Sequence, residues 1–247
     1  MFIQATSGAA SARAVEYDAD TALTRLRSHR SQRPFVIGQL GQSLDGRIAT
    51  PTGASKYING KDALRHLHAI RAEVDAVVIG VGTAIADDPA LTTRHVEGPN
   101  PARVIIDPHG RLPQDTSMLR DGAAEVIALT CRGVVSAIGA ETVEMECDGC
   151  EHIRPEAIIS TLIARGMNRI LVEGGAKTLA GFINAGAIDE LHLMLAPIIL
   201  GSGKTGLNLA PIETLDQAYR PMVRTMRFRD GDMLCMCDLQ EQSVQAG

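Results

Sequence analysis

The sequence predicts an α/β fold in which a mostly parallel sheet carries helices on both faces and ends in an antiparallel hairpin. From residue 34 onward, short apolar runs of strand length alternate with helical patterns, and this alternation is typical of parallel sheets. Three of the apolar runs end in glycine-bearing turns. The last two runs flank Asp230-Gly231, a pair that favours a hairpin turn.

Apolar runs bounded by turn residues predict the strands. They lie at residues 35–40, 76–79, 103–106, 126–129, 170–172, 190–195, 225–228 and 233–239. One helix is predicted by the spacing of Leu64, Leu67, Ile70 and Val74. A second, amphipathic helix is predicted over residues 156–165, and Gly166 ends it.

Composition and charge exclude several classes of protein. The chain has 247 residues, of which 45% are apolar and 21% charged, so we expect a sizeable buried core. Aromatic residues make up only 3% and the net charge is 24 − 29 = −5, which disfavours nucleic-acid binding. No apolar run approaches the roughly 20 residues needed to span a bilayer. We therefore expect neither a nucleic-acid nor a membrane partner.

The first 32 residues differ from the rest of the chain. Ala, Ser and Arg dominate their first half, and a helix is predicted from about Asp18 to Arg30. We expect residues 1–32 to be an N-terminal extension, helical or partly disordered, and residues 33–247 to form the main domain. Five cysteines, an odd number, favour reduced thiols. The sequence has neither an N-terminal apolar signal region nor an apolar run of membrane length, so we expect a cytoplasmic location.

Three strand ends bring glycine, acidic and hydroxyl residues to one edge of the predicted sheet. The carboxyl ends of parallel strands meet at the same edge, where ligands of such folds bind. A glycine turn followed by a helix start presents free backbone N–H groups to a phosphate. Each turn alone is also typical of an ordinary loop, but together they indicate a nucleotide site. The residues are Gly41, Ser43, Asp45, Gly46, Gly80, Gly82, Thr83, Asp87, Glu173, Gly174 and Gly175.

Two arginines are candidate phosphate ligands. Arg71 lies near the end of the predicted helix, and Arg94 follows the turn Asp87-Asp88-Pro89. A guanidinium group matches two phosphate oxygens with parallel hydrogen bonds. A surface salt bridge is the alternative role for either side chain.

Five motifs stand in one order along residues 33–240. They are Ser43-Leu44-Asp45-Gly46-Arg47, Ser55-Lys56-Tyr57-Ile58, Asp87-Asp88-Pro89-Ala90-Leu91-Thr92, Val104-Ile105-Ile106-Asp107 and Val172-Glu173-Gly174-Gly175. In order and spacing they resemble the riboflavin-biosynthesis pyrimidine reductase family, the reductase half of a bifunctional deaminase–reductase. The resemblance implies a dihydrofolate-reductase-like fold. Residues 1–32 are too few for the deaminase domain and lack its zinc signature, so we expect a stand-alone reductase.

The resemblance also implies the reaction. NADPH would deliver a hydride to C1′ of the ring-opened ribosyl group of 5-amino-6-(5-phosphoribosylamino)uracil, giving the ribitylamino phosphate. Asp45 is a candidate donor of the accompanying proton, with solvent as the alternative. A homodimer formed through sheet edges is implied as well.

The family's binding residues carry over by position. Those implied for the cofactor are Gly41, Tyr57, Thr83, Asp87, Gly175, Ala176, Lys177, Thr178, Leu179, Ala180 and Gly181. Those implied for the substrate are Ser55, Arg71, Leu91, Arg94 and Glu173. Pro108 stands where the family often has a small hydroxyl residue, which removes one expected hydrogen bond to the cofactor.

Two other functions remain open at this point. One is a reductase of the same fold with another substrate, such as a pterin, and the Arg71/Arg94 pair disfavours it. The other is a nucleotide-binding protein without turnover, which the intact substrate-side residues disfavour.

Some histidines and cysteines resemble metal ligands. Cys147, Cys150 and His95 resemble parts of a zinc deaminase site, but about fifty residues separate the halves, so we expect no metal. His66 and His68 stand two apart on a helix and face different ways. We expect both to be at the surface or half-buried.

Overall fold

The computed structural model describes residues 15–29, 33–56, 58–134, 139–149 and 152–242. The helices are α1 (Ala19–Ala22), α2 (Thr24–Ser28), α3 (Lys61–Arg71), α4 (Val81–Asp87), α5 (Ser117–Arg120), α6 (Pro155–Ala164) and α7 (Ala176–Asn184). The strands are β1 (Phe35–Ser43), β2 (Arg47–Ala49), β3 (Ala76–Gly80), β4 (Ala102–Ile106), β5 (Val126–Cys131), β6 (Glu141–Met145), β7 (Cys147–Asp148), β8 (His152–Ile153), β9 (Arg169–Glu173), β10 (Glu190–Ala196), β11 (Lys204–Thr205), β12 (Pro221–Arg227) and β13 (Met233–Gln242). One 3₁₀ turn spans Leu215–Gln217.

Nine of the strands form one sheet in the order β12-β13-β10-β1-β9-β3-β4-β5-β6. The strands from β10 to β6 pair in parallel. β13 runs antiparallel to β10, and β12 and β13 form the terminal hairpin. The predicted fold class, a mostly parallel sheet with an antiparallel hairpin, is confirmed.

Two apolar clusters cover the two faces of the sheet. On one face, Ile158 and Leu162 of α6 pack with Leu179 and Phe182 of α7. On the other, Ile70 of α3 packs with residues of α2, α4 and α5. The central strands are buried on both faces, so they read as continuous apolar runs rather than alternating ones. Among the described residues, no helix is long and apolar enough to cross a bilayer.

Local patterns did not predict every element. β6 was missed because Glu141-Thr142-Val143-Glu144 is a largely exposed edge strand that is defined by its backbone pairing with β5. The single helix predicted from Asp18 is two short helices, α1 and α2. Both misses reflect tertiary contacts that a local apolar period does not encode.

The described part of the N-terminal segment packs on the main domain. Leu23 and Leu26 are buried in the same cluster as β1 and α3. Arg25 forms ion pairs with Glu190, at 2.9 Å, and with Asp238, at 2.6 Å. Residues 15–28 therefore complete the core on the α3 face, while the domain boundary at residue 33 stays a prediction.

The expectation that His66 and His68 lie at or near the surface was wrong, because both are completely buried. His66 belongs to a buried hydrogen-bonded chain that crosses from the N-terminal segment to β10. The Tyr17 hydroxyl lies 2.9 Å from His66 Nδ1, and His66 Nε2 lies 2.9 Å from His192 Nδ1. His192 Nε2 lies 2.7 Å from Glu190 Oε1. Sequence spacing on one helix did not show that β10 supplies a polar partner.

One proton arrangement satisfies this chain. The Glu190 carboxylate accepts from His192 Nε2–H, His192 Nδ1 accepts from His66 Nε2–H, and His66 Nδ1 accepts from the Tyr17 hydroxyl. Burial, followed by the neighbouring His192, lowers the pKa of His66 well below its usual value. The His66 imidazole is therefore neutral in the folded protein at neutral pH.

The second correction concerns the cysteines. Cys131 and Cys147 form a disulfide between the end of β5 and β7, with their Cα atoms 5.6 Å apart. The prediction of reduced thiols was therefore wrong for these two of the five cysteines. Cys147 is unavailable as a zinc ligand, and Cys150 lies outside the described residues.

The neutral, buried state of His66 predicts a pH-dependent stability. Below about pH 6.5 the unfolded chain takes up a proton at this histidine that the folded chain does not bind, so stability falls as the pH falls. His66→Gln keeps a donor toward His192 but does not titrate. We expect the free energy of unfolding between pH 6.5 and 4.5 to fall less steeply in this variant, by up to ~1.4 kcal/mol per pH unit. Urea denaturation at a series of pH values measures it, and equal slopes for both proteins would contradict the assignment.

Candidate active site

The three predicted strand ends meet at one edge of the sheet. β9 lies between β1 and β3, and all three run parallel. Gln39 on β1 is in register with Glu173 on β9, and Val78 on β3 is in register with Val172. The turns after these strands are therefore neighbours, as the sequence predicts.

The turns after β3 and β9 pack directly against each other through glycines. A Cβ atom at Gly80 would lie 2.5 Å from Thr178 Oγ1, and a Cβ atom at Gly175 would lie 2.8 Å from Thr83 Oγ1. Gly175 also has a φ of +66°, which L side chains rarely adopt. Neither threonine hydroxyl has a hydrogen-bond partner among the described residues. Two helix starts and two available hydroxyls thus face the same edge.

The stretch 175–181 is the beginning of α7 rather than a loop. No side chain caps the helix, so its first backbone N–H groups point to the sheet edge without an internal partner. Lys177 and Gly181 are exposed, whereas Leu179 and Ala180 are buried. Asp87, the last residue of α4, is exposed. Leu179 and Ala180 lie inside the helix, and the backbone N–H of Leu179 already donates to the carbonyl of Gly175, so these two residues support the helix rather than face a ligand.

Position 41 needs a glycine because the side-chain amide of Asn59 occupies the space of a Cβ atom. A Cβ atom at Gly41 would overlap the Asn59 side chain, whose Nδ2 donates to the carbonyl of Met194 at 3.0 Å and to Asp232 at 3.1 Å. This contact ties the end of β1 to β10 and to the chain before α3. The sequence marked Gly41 as a cofactor residue but gave no signal of the Asn59 contact. Tyr57 lies outside the described residues, and Ser55 is half-buried nearby in the chain.

Asp45 is held as a hydrogen-bond acceptor. Its carboxylate accepts from Ser43 Oγ at 2.6 Å and from the backbone N–H groups of Leu200, at 3.0 Å, and Gly201, at 2.7 Å. The hydrogen bond from Ser43 and those from the two backbone groups lower the pKa of Asp45 to about 2. A carboxyl with this pKa has no proton to donate at neutral pH, which speaks against its predicted role as proton donor. Its observed role is to hold the loop at residues 200–201.

Arg71 and Glu173 pair with each other. Arg71 Nε lies 2.5 Å from Glu173 Oε1 and Nη2 lies 2.6 Å from Oε2, a bidentate geometry. The side chains are only 7% and 9% exposed. Both were predicted substrate ligands, and the structure joins them into one neutral unit. The third guanidinium nitrogen, Nη1, donates to the carbonyl of Thr92 at 3.1 Å.

Arg94 is the second arginine predicted to bind a phosphate. It is exposed and makes no ion pair within the part of the chain that the structure describes. Its backbone N–H donates to His68 Nδ1 at 3.1 Å. Leu91, another predicted substrate residue, is buried and has a φ of +53°. His68 and Thr92 escaped the sequence analysis of the site because their roles depend on the packing of α3 against residues 91–95.

The Arg71–Glu173 pair leads to a stability prediction. Glu173→Gln keeps the shape of the side chain but leaves the Arg71 guanidinium buried without a counter-charge, and we expect a loss of ~3 kcal/mol in the free energy of unfolding. Chemical denaturation at neutral pH measures it. Glu141→Gln is the control, because the Glu141–Arg165 pair is largely exposed and its loss costs less than about 1 kcal/mol. Similar losses for the two variants would contradict the importance of the buried pair.

The strand order and the terminal hairpin define a dihydrofolate-reductase-like α/β fold, and the names of the relatives of this chain place it among the oxidoreductases. The family model described as the RibD C-terminal domain matches residues 34–229. The chain belongs to this family.

Named relatives support the assignment. A 2,5-diamino-6-ribosylamino-4(3H)-pyrimidinone 5′-phosphate reductase of Methanothermobacter thermautotrophicus is 33% identical over 190 residues, which cover 75% of this chain and 87% of the relative. The riboflavin biosynthesis protein RibD of Bacillus amyloliquefaciens is 36% identical over 78% of this chain, but only 52% of the relative is covered. The chain thus spans about half the length of that RibD.

Solved structures agree with the fold. The diaminohydroxyphosphoribosylaminopyrimidine deaminase/5-amino-6-(5-phosphoribosylamino)uracil reductase of Thermotoga maritima has a TM-score of 0.72 at 30% identity, covering 84% of this chain and 57% of that one. The riboflavin biosynthesis reductase Rib7 of Saccharomyces cerevisiae has a TM-score of 0.70 over 90% of this chain, and at 18% identity it supports the fold alone.

Proposed function

We propose that this protein is a reductase that uses NADPH to reduce the ribosyl group of 5-amino-6-(5-phosphoribosylamino)uracil to the ribitylamino phosphate. One observation carries the proposal. The Arg71 guanidinium binds Glu173, just before the glycine turn after β9, and also the carbonyl of Thr92. It thereby joins that turn to the segment that carries Arg94, an exposed arginine that forms no ion pair with another described residue. Sites for an anionic nucleotide and for a second phosphate thus lie on neighbouring segments.

The residues at this edge fit a dinucleotide. Cβ atoms at Gly82 and Gly174 would meet nothing within 4 Å, so there is open space beside both turns. The Thr83 and Thr178 hydroxyls and the first N–H groups of α7 would hold the diphosphate, together with Gly175. Asp87 and the exposed Lys177 and Gly181 border the same space. When bound, NADPH supplies the hydride.

Arg94 and Ser55 would hold the substrate phosphate, and Leu91 would shape the adjoining surface. The Arg71–Glu173 unit would border the pyrimidine, where its charges cancel and its carboxylate oxygens accept from ring N–H groups. Because Asp45 is ionised, we assign delivery of the proton to solvent. The protein then contributes mainly orientation, which accelerates the reaction by removing translational freedom.

The first test combines the purified protein with NADPH and the phosphorylated pyrimidine. We expect NADPH to be oxidised only when the substrate is present. The loss of the absorbance of the reduced nicotinamide measures this oxidation. Arg94→Ala should raise the substrate KM about ten-fold or more with little change in the KM for NADPH, because a charge-assisted contact to phosphate is worth roughly 1.5–3 kcal/mol.

Arg165→Ala is the matched control. This arginine follows α6, and it pairs with Glu141 at the start of the edge strand β6. It should leave both KM values unchanged. The assay should use both the uracil substrate and the 2,5-diaminopyrimidinone form, because the names of the relatives include both. NADPH binding without oxidation of either compound would overturn the proposal in favour of a pterin-type reductase or a protein without turnover.

We also propose a homodimer formed through the β12 edge of the sheet. β12 is the outermost strand, and its Met222 and Val223 are 53% and 50% exposed. Residues 15–17 pair with the outer edge of β12 at Arg227. Among the described residues no other strand pairs with that edge, and an exposed strand edge is a template for pairing with another chain.

Light scattering coupled to gel filtration tests the dimer. Val223→Lys should convert the dimer to a monomer, because the lysine charge would be buried between the two edges. Leu64→Lys, at another exposed apolar position, is the control and should leave the dimer intact. A monomeric wild-type protein, or dimers of both variants, would count against this interface.

A further inference from the structure

Two side chains of α3 hold the segment that carries Arg94. His68 and Arg71 stand three residues apart and therefore share a face of the helix. Arg71 Nη1 donates to the carbonyl of Thr92, and His68 Nδ1 accepts from the backbone N–H of Arg94, each at 3.1 Å. Helix α3 thus binds this segment at two positions, where Arg71 donates a hydrogen bond and His68 accepts one.

This segment needs external support. It is entered through Asp88, with a φ of +38°, and Leu91, with a φ of +53°. A left-handed conformation costs a non-glycine residue on the order of 1–2 kcal/mol, so contacts from the surroundings must over-determine it. Ser117 holds Asp88 through its backbone N–H and its hydroxyl. His68 holds the other end, next to the Arg94 side chain.

His68 is built to stay an acceptor. Burial lowers the pKa of His68 to about 3. The neighbouring charges of Arg71, His95 and Arg94 contribute in the same direction. Its imidazole is therefore neutral over the range in which the enzyme folds and works, with Nδ1 free to accept. Its Nε2 is buried and has no hydrogen-bond partner. A neutral imidazole whose Nδ1 accepts a hydrogen bond carries its proton on Nε2, so this arrangement leaves one buried N–H unpaired.

We propose that His68 is a positioning residue that fixes the backbone of Arg94 and thereby aims its guanidinium at the substrate phosphate. The inference rests on the proposed function, in which Arg94 is the phosphate ligand. His68 itself does not contact the substrate. Thr93, the preceding residue, is held by Asn100 and the carbonyl of Pro99, and His68 adds the hydrogen bond to the backbone of Arg94 itself.

The test compares His68→Phe with His68→Asn. Phenylalanine keeps a planar ring but lacks the acceptor, whereas the asparagine Oδ1 can lie near the position of Nδ1. We expect His68→Phe to raise the substrate KM about five- to ten-fold, the equivalent of one lost hydrogen bond. The values of kcat and of the KM for NADPH should change less than about two-fold, and His68→Asn should restore most of the substrate KM.

A double-mutant cycle separates positioning from general packing. In an Arg94→Ala background, His68→Phe should no longer raise the substrate KM, because the group it aims is absent. A merely structural role would lower stability and kcat and would persist in that background. If His68→Phe does not fold, His68→Gln replaces it, because its amide reaches toward Nε2 and not Nδ1.

These measurements test the phosphate-binding role of Arg94 and the positioning role of His68 separately. If Arg94→Ala leaves the substrate KM unchanged, the proposed phosphate ligand is wrong. If Arg94→Ala raises the KM but His68→Phe or His68→Gln does not, or raises it equally in both backgrounds, the positioning role of His68 is wrong and the proposed function stands.

Discussion

The buried ion pair between Arg71 and Glu173 connects the parts of the site. Glu173 ends β9, just before the glycine turn that begins α7. Arg71 ends α3 and also holds the carbonyl of Thr92. One guanidinium thus joins the cofactor-side turn, the α3 helix and the segment that carries Arg94. Burying two charges is unfavourable unless each finds its partner, so the three elements are positioned together or the pair is not formed.

Because Arg71 is buried and paired with Glu173, the two arginines have different roles. Arg71 is nearly buried and neutralised, so it orders the site, while Arg94 is exposed and keeps its charge for a ligand. Residue type alone does not separate these roles, since both are arginines beside a predicted phosphate site. The difference lies in burial. A guanidinium that is buried needs a counter-charge inside the protein, which Glu173 supplies to Arg71, whereas the exposed Arg94 guanidinium can bind a ligand.

The same logic applies to the histidines and to Asp45. His66 and His68 are two residues apart, yet both are buried, since β10 covers one of them with His192 and the Arg94 segment covers the other. Asp45 stands in a motif that suggested an acid, but backbone N–H groups from residues 200 and 201, about 155 positions away, hold it ionised. In each case the deciding partner comes from a distant part of the chain.

Local sequence was sufficient for the strand and helix order, the glycine turns at one edge and the family motifs, because apolar periodicity and turn chemistry are properties of neighbouring residues. The pairing of Arg71 with Glu173, the contact of His68 with Arg94 and the closure of the Cys131–Cys147 disulfide were decided only by tertiary structure. Each joins residues from separate elements, and their protonation and charge depend on desolvation and partners that exist only after the chain has packed.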